Sequence, residues 1–167
     1  MQFEFIENTK QYSINFIKED LSYLNSKEVN RLWNKAKKEN PNLFSDNIFY
    51  IDHIDKVYID GFFSEYKYWY IQNKFNQTYS DKKLMVAGVT GVIRESDQLL
   101  ALKRTNMVHQ DKNMYELGPA GGLSILNNGC KDQLINEFEE ELDVSSKNIN
   151  SIKQLGILID KKEFILD

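Results

Sequence analysis

One cysteine, two histidines and two prolines occur in 167 residues, and no apolar run approaches the roughly 20 residues needed to cross a bilayer. The lone Cys130 has no internal partner, which excludes a scaffold stapled by its own disulfides. With no signal-peptide pattern either, a reducing cytoplasm is the expected setting. Acidic residues outnumber basic ones, 25 to 21. The net charge of −4 argues against nucleic-acid partners, because a phosphate backbone needs a basic surface. Neither His53 nor His109 has a sequence partner that would make a metal pair or a nucleophile–base pair. Surface positions account for both, although His109 lies in the polar stretch 106–113, which also suits a substrate loop.

What remains is an ordinary globular composition, 41% apolar and 28% charged. The length suffices for one domain with a real core, or for one domain with an elaborate N-terminal extension. No internal repeat or low-complexity linker divides the chain. Residues 1–82 read as a small α+β region packed on a domain of residues 83–167. In the first region, 2–7 and 12–17 are rich in β-branched and aromatic residues and read as strands. Asn25 with Glu28 gives a capping-box pattern ahead of a helix over 27–38, closed by Asn40-Pro41. Residues 48–54 and 56–59 read as short strands, and Phe63, Tyr66, Tyr70 and Ile71 have helical spacing over 63–75.

From Leu84 the texture changes. Residues 84–94 and 98–103 are apolar strands divided by the turn Glu95-Ser96-Asp97, and 114–117 is a short strand before Gly121-Gly122. A loop over 125–129 leads to an acidic helix over 131–142, and 152–159 and 163–166 read as further strands. Strands around helices without βαβ regularity indicate a mixed α+β sandwich.

The acidic helix carries the chemistry. At about 100° per residue, Leu134, Ile135, Phe138 and Leu142 form an apolar stripe, with Glu137 and Glu141 along its border and Glu140 further out. Residues three and four apart are neighbours on a helix, so these carboxylates repel one another unless a cation sits among them. A solvated acidic face is the bland alternative. The glycine pair weighs against it. Read as a turn, Gly121-Gly122 allows close approach and can present a carbonyl to the carboxylates. An all-oxygen site of this kind suits Mg²⁺ or Mn²⁺, which retain waters and bridge to substrate phosphates.

These residues resemble the Nudix box: Gly, five residues, Glu, seven residues, then Arg-Glu-apolar-any-Glu-Glu-any-Gly-apolar. Counted from Gly122, the residues Glu137, Phe138, Glu140, Glu141 and Val144 fall in register. Asn128 stands where the box has its first Glu, Asn136 where it has Arg, and Asp143 where it has Gly. Losing acid and base together leaves no orphaned charge, and an amide pair can replace an ion pair provided Asn128 and Asn136 are close. Asp143 suits a helix end in the left-handed conformation. Pro119-Ala120-Gly121 is similar to the Pro-Ala-Gly of nucleotide-sugar members, although the helix spacing puts the box glycine one residue later.

The resemblance implies an α/β/α Nudix sandwich with a mixed sheet and an N-terminal α+β extension. It implies metal-dependent cleavage of a pyrophosphate linking a nucleoside to another group. Glu137 and Glu141 would then be the main metal ligands, Glu140 a further ligand or base, and Gly121 a carbonyl donor. Gly122 and Arg104 would contact substrate, although an exposed strand-end charge explains Arg104 equally well. Stretches at Arg31-Leu32-Trp33, Asn40 to Phe44, and Gly61 to Tyr66 look like the leader of the UDP-sugar pyrophosphatase branch. The aromatic residues Trp33, Phe44, Phe62, Tyr66, Trp69 and Tyr70 fit either a plain core or stacking on a base or sugar. The expected partner is therefore a small nucleoside-diphosphate compound, with ADP-ribose or a nucleoside triphosphate as the second choice. A Nudix-fold module that binds a nucleotide without cutting it is the non-enzymatic alternative. Few residues follow Val144, so either a compact C-terminus or a shortened chain, lacking a distal base and part of a sugar pocket, is expected.

Overall fold

Consecutive residues of a strand face opposite sides of a sheet, so burial of both Phe49 and Tyr50 requires cover on both sides. That requirement sets the architecture seen in the structure, a computed structural model describing residues 3–7, 12–18, 21–43, 45–55, 58–77, 83–106, 113–125 and 129–167. The chain runs through strands β1 (Phe3–Glu7) and β2 (Ser13–Phe16), helix α1 (Lys27–Glu39), strands β3 (Asn47–Ile54) and β4 (Tyr58–Glu65), and helix α2 (Lys67–Phe75). Strands β5 (Met85–Thr90), β6 (Arg94–Glu95), β7 (Gln98–Leu99), β8 (Ala101–Lys103), β9 (Tyr115–Leu117) and β10 (Ala120–Gly122) follow. Helix α3 (Cys130–Leu142) and strands β11 (Gly156–Asp160) and β12 (Ile165–Leu166) complete the order.

Eight strands make one mixed sheet in the order β1-β11-β12-β5-β3-β4-β2, with β10 joined to β5. Strands β2 and β12 run parallel to β4 and β5 respectively. Strands from both halves of the chain share this sheet: β3 meets β5 at Tyr50↔Val86, and β1 meets β11 along its whole length. On one face, Tyr50, Phe62 and Val86 pack with Val29, Leu32, Trp33 and Ala36 of α1 and with Tyr68 to Ile71 of α2. On the other, Phe49, Ile59, Ala87, Val89, Ile157 and Leu166 pack with Leu123 and with Leu134 of α3. The result is an α+β protein whose mixed sheet lies between two helical layers. No helix among the described residues is long and apolar enough to cross a membrane.

Several boundaries differ from the sequence expectation. The helix expected over 63–75 begins only at Lys67, because Phe63 belongs to β4, where it pairs with Phe49 at a ring separation of 5.3 Å. Its spacing from Tyr66 and Tyr70 was helical by coincidence, since a short apolar run fits both periods. The cap of α1 is Ser26 and not Asn25: Ser26 Oγ accepts from the Val29 N–H at 3.2 Å, and Glu28 pairs with Arg31 instead. The strand expected over 84–94 ends at Thr90, where the Gly91 N–H turns to Pro119 O at 2.7 Å. The next expected strand splits at Leu100, whose N–H donates to Ile93 O. Residues 152–155 are irregular, and β11 starts at Gly156.

Trp33, Phe62, Trp69 and Tyr70 are buried in the helical-layer core, with Trp33 edge-on to Tyr70 at 5.5 Å, so the plain-core reading describes them. Phe44 lies outside the described residues. On the other face Gly61 is a tight point, since a Cβ there would overlap Tyr50 O and the Phe49 ring. Both neighbours are immobile, one backbone and one fully buried ring. Gly61→Ala should therefore lower the unfolding free energy by about 2–4 kcal/mol, measured by urea denaturation. A loss below 0.5 kcal/mol would show that β3 and β4 can separate freely.

Candidate functional site

Strand β10 pairs antiparallel with the second half of β5: Ala120↔Thr90, Gly121↔Val89 and Gly122↔Gly88. Leu123 then enters the core, its N–H on Ala87 O, and the chain turns toward Gly129. At Gly129 a φ of 118° lies in the region that favours glycine, and α3 starts immediately afterwards. The helix folds back so that Leu134 reaches the core and the row Gln133, Glu137, Glu141 runs along β10.

Gly121-Gly122 is thus part of a strand and not a turn, a correction with a physical basis: neither residue has positive φ, and only Gly121 is needed for space. A Cβ on Gly121 would overlap Glu137 Oε1 and Cδ and lie 2.7 Å from Oε2. On Gly122, a Cβ would meet only Ile48 Cγ2 at 3.8 Å, an ordinary contact. The flanking bonds Gly91 N–H to Pro119 O and Leu123 N–H to Ala87 O make Gly121 and Val89 a hydrogen-bonded ladder pair. The Gly121 carbonyl therefore points along the sheet toward β5. Its contribution to Glu137 is the missing side chain. Ala120 falls in the alternate pair, and its outward N–H donates to Glu141 Oε2 at 3.2 Å.

Glu137 is half-buried, and its Oε1 accepts from Gln133 Nε2 at 2.5 Å. Gln133 Oε1 in turn accepts from the Ser124 N–H at 2.9 Å. Burial pushes the Glu137 carboxyl above the ordinary glutamate range; the Gln133 bond opposes this, and the charges of Glu140 and Glu141 add to it. Glu140 stands in solvent, while Glu139 accepts from the Ser146 N–H, which lowers its pKa. Among the described residues, no three His, Cys, Asp or Glu side chains converge on one point. Carboxylate oxygens are the donors a hard divalent cation takes, and the space that a Cβ on Gly121 would fill holds the Glu137 carboxyl.

Arg104 is brought to Glu116 across the β8–β9 hairpin, forming an ion pair. His53 is exposed beside the irregularity in β3, whereas His109 and Asn128 lie outside the described residues. Asn136 is half-buried. Asp143 takes the left-handed position at the end of α3 (φ 53°), as expected of a residue standing in for glycine. Sequence reasoning missed Gln133, the one buried residue of α3, although its place four residues before Glu137 on the same helical row was the available signal. It also missed Asp167, a half-buried carboxyl raised by desolvation, which Thr90 hydrogen-bonds beside Gly88.

Comparison with protein-family models gives no match, and comparison with curated proteins gives none either.

The two glycines should separate cleanly on substitution. In Gly121→Ala, only the flexible end of Glu137 has to move, so stability should stay within about 1 kcal/mol of wild type. The displaced carboxyl, closer to water, should titrate lower, whereas Gly122→Ala should leave it unchanged. The sign carries into stability: a carboxyl raised on folding contributes fully below its unfolded value near 4.5 and loses that contribution as pH rises through the folded value. Gly121→Ala should flatten that slope. Carboxyl ¹³C NMR titration with denaturation at several pH values reads both effects, and identical titrations in the two variants would contradict the assignment.

Proposed function

We propose that α3 and β10 form the divalent-metal centre of a Nudix-type pyrophosphohydrolase acting on a nucleoside-diphosphate-linked substrate, most simply a nucleotide sugar. The observation that carries this reading is the seat of Glu137 against Gly121, the residue just before the glycine at the box spacing, with Glu141 tied to the same strand. In this reading Glu137, Glu141 and Glu140 hold Mg²⁺ or Mn²⁺. The bound ion would supply charge neutralisation at the pyrophosphate oxygens and a more acidic water. The chain's own residues do the rest. Gly121 admits the Glu137 carboxylate to a partly desolvated position, where its interaction with a cation exceeds that in bulk water. The Ala120 N–H fixes one oxygen of Glu141, restricting its rotation. Glu140, exposed, is free to accept a proton from water. Arg104 is held by Glu116 at the end of β8, and a phosphate contact there would require sharing the guanidinium.

A second reading keeps the fold relationship and drops the chemistry. With Glu137 bonded to Gln133 and Glu141 to a backbone N–H, each of these two carboxylates already has a partner at one oxygen. That arrangement also suits a module that holds a nucleotide without cleaving it.

Incubation with Mg²⁺ and a panel of UDP-sugars, ADP-ribose and nucleoside triphosphates should release a nucleoside monophosphate from at least one of them. Glu137→Gln should lower kcat by about 10²- to 10⁴-fold with an unchanged thermal transition. Binding of a panel member without turnover would replace the hydrolase with the sensor. Full activity in Glu137→Gln would remove this helix from the chemistry.

A further inference from the structure

We propose that Gln133 is the positioning residue of the acidic centre, a side-chain amide that orients Glu137 by anchoring it to the loop leaving β10. This rests on the metal reading above. Gln133 is 5% exposed and is the only buried residue of a helix whose apolar side chains are all half-buried. Burying an amide there is costly compared with an aliphatic side chain of similar size unless its polar atoms are engaged. Both ends are. Oε1 accepts the Ser124 N–H at 2.9 Å, and Nε2 donates to Glu137 Oε1 at 2.5 Å.

The two bonds fix each other. Because the Ser124 N–H can only donate, the amide oxygen must face the loop, and the NH₂ must face Glu137. The flipped amide would set an oxygen against a carboxylate and a donor against a donor. Glu137 therefore meets a donor at Oε1, which favours its ionised form, while Oε2 takes no hydrogen bond among the described residues. The glycine cradle and the amide act on the same carboxylate from two sides: Gly121 makes room for it, and Gln133 sets its angle. Carboxylate ligands held by an outer hydrogen bond lose typically 10- to 100-fold in metal affinity when that bond is removed.

Mn²⁺ affinity, followed by electron paramagnetic resonance on the full chain, tests this without reference to turnover. Gln133→Met keeps the volume and removes both bonds; it should bind Mn²⁺ about 10- to 100-fold more weakly than wild type while unfolding at a similar temperature. A second measurement needs no variant. In the wild-type protein, Mn²⁺ should broaden the side-chain NH₂ resonances of Gln133 while leaving those of Gln72, on the opposite helical layer, sharp. Wild-type affinity in a folded Gln133→Met overturns the positioning role and leaves the metal reading standing, whereas sharp Gln133 resonances with the ion bound place the ion away from Glu137 and overturn both. Should Gln133→Met not fold, the wild-type spectra decide. A wild-type protein that binds no Mn²⁺ overturns the metal reading, and the positioning role with it.

Discussion

The structure depends on one edge of β5 being shared by two strands in succession. At Met85 and Val86 that edge belongs to β3; from Gly88 to Thr90 it belongs to β10. The handover falls at Ala87, whose carbonyl takes the Leu123 N–H as β10 ends. An edge strand left open would be a template for unwanted pairing, and a backbone group left open in the core would be costly. Here β3 and β10 divide the edge between them, so neither situation arises. The first half of β5 ties the helical layer of α1 and α2 to the sheet. The second half places β10, and through Leu123 the start of α3, at a defined height above it. The candidate site is thus positioned by the same hydrogen bonds that join the two halves of the chain.

Where β10 lies against β5, the sheet carries almost no side chains. Gly88 and Gly122 are register partners, and Gly121 adjoins them. The bare backbone lets carboxyls approach from both faces: Glu137 of α3 against Gly121, and Asp167 against Gly88. Burial raises both groups above their ordinary range, and each receives a hydrogen bond that works against that rise, from Gln133 and from Thr90. Partly desolvated acids held by single donors are a poor solution for stability and a good one for holding charge ready, the pattern expected where pKa values are tuned for function.

Much of this was legible in the sequence, and the misses have physical causes. The acidic helix and its border carboxylates follow from the 3.6-residue period, and the left-handed Asp143 from its place at the glycine of the resembled box, which Asp tolerates better than most residues. The helix over 63–75 was read too long because Phe62, buried, and Phe63, half-buried, pack on opposite faces of β4, and a doubly covered strand loses the alternation that identifies it. Gly121-Gly122 was read as a turn because glycine usually marks special φ. Of the two uses expected of the pair, only the close approach is realised, and at Gly121 alone, against a carboxyl that another element positions. Gln133 looked like an ordinary polar helix residue; its importance arises from Ser124, nine residues earlier, across a loop whose path the sequence does not give.

The charge distribution along α3 separates structure from function most sharply. A helix carries partial negative charge at its C-terminus, where basic residues help and acidic ones hurt. Helix α3 has no basic residue in its last turn and places Glu139, Glu140 and Glu141 there, with Glu137 one turn below Glu141. Each pair at this spacing is also repulsive. Glu139 finds compensation in the Ser146 N–H and Glu141 in the Ala120 N–H, but Glu140 has only water. Helix α1 shows the opposite arrangement, with Lys37 and Lys38 closing its last turn, so the chain does follow the stabilising rule elsewhere. An arrangement that works against both the helix dipole and its own neighbours, on the helix that also buries the amide of Gln133 beside a carboxylate, is the one that the proposed metal centre would complete. The same charges that weaken α3 alone would then become the reason it binds.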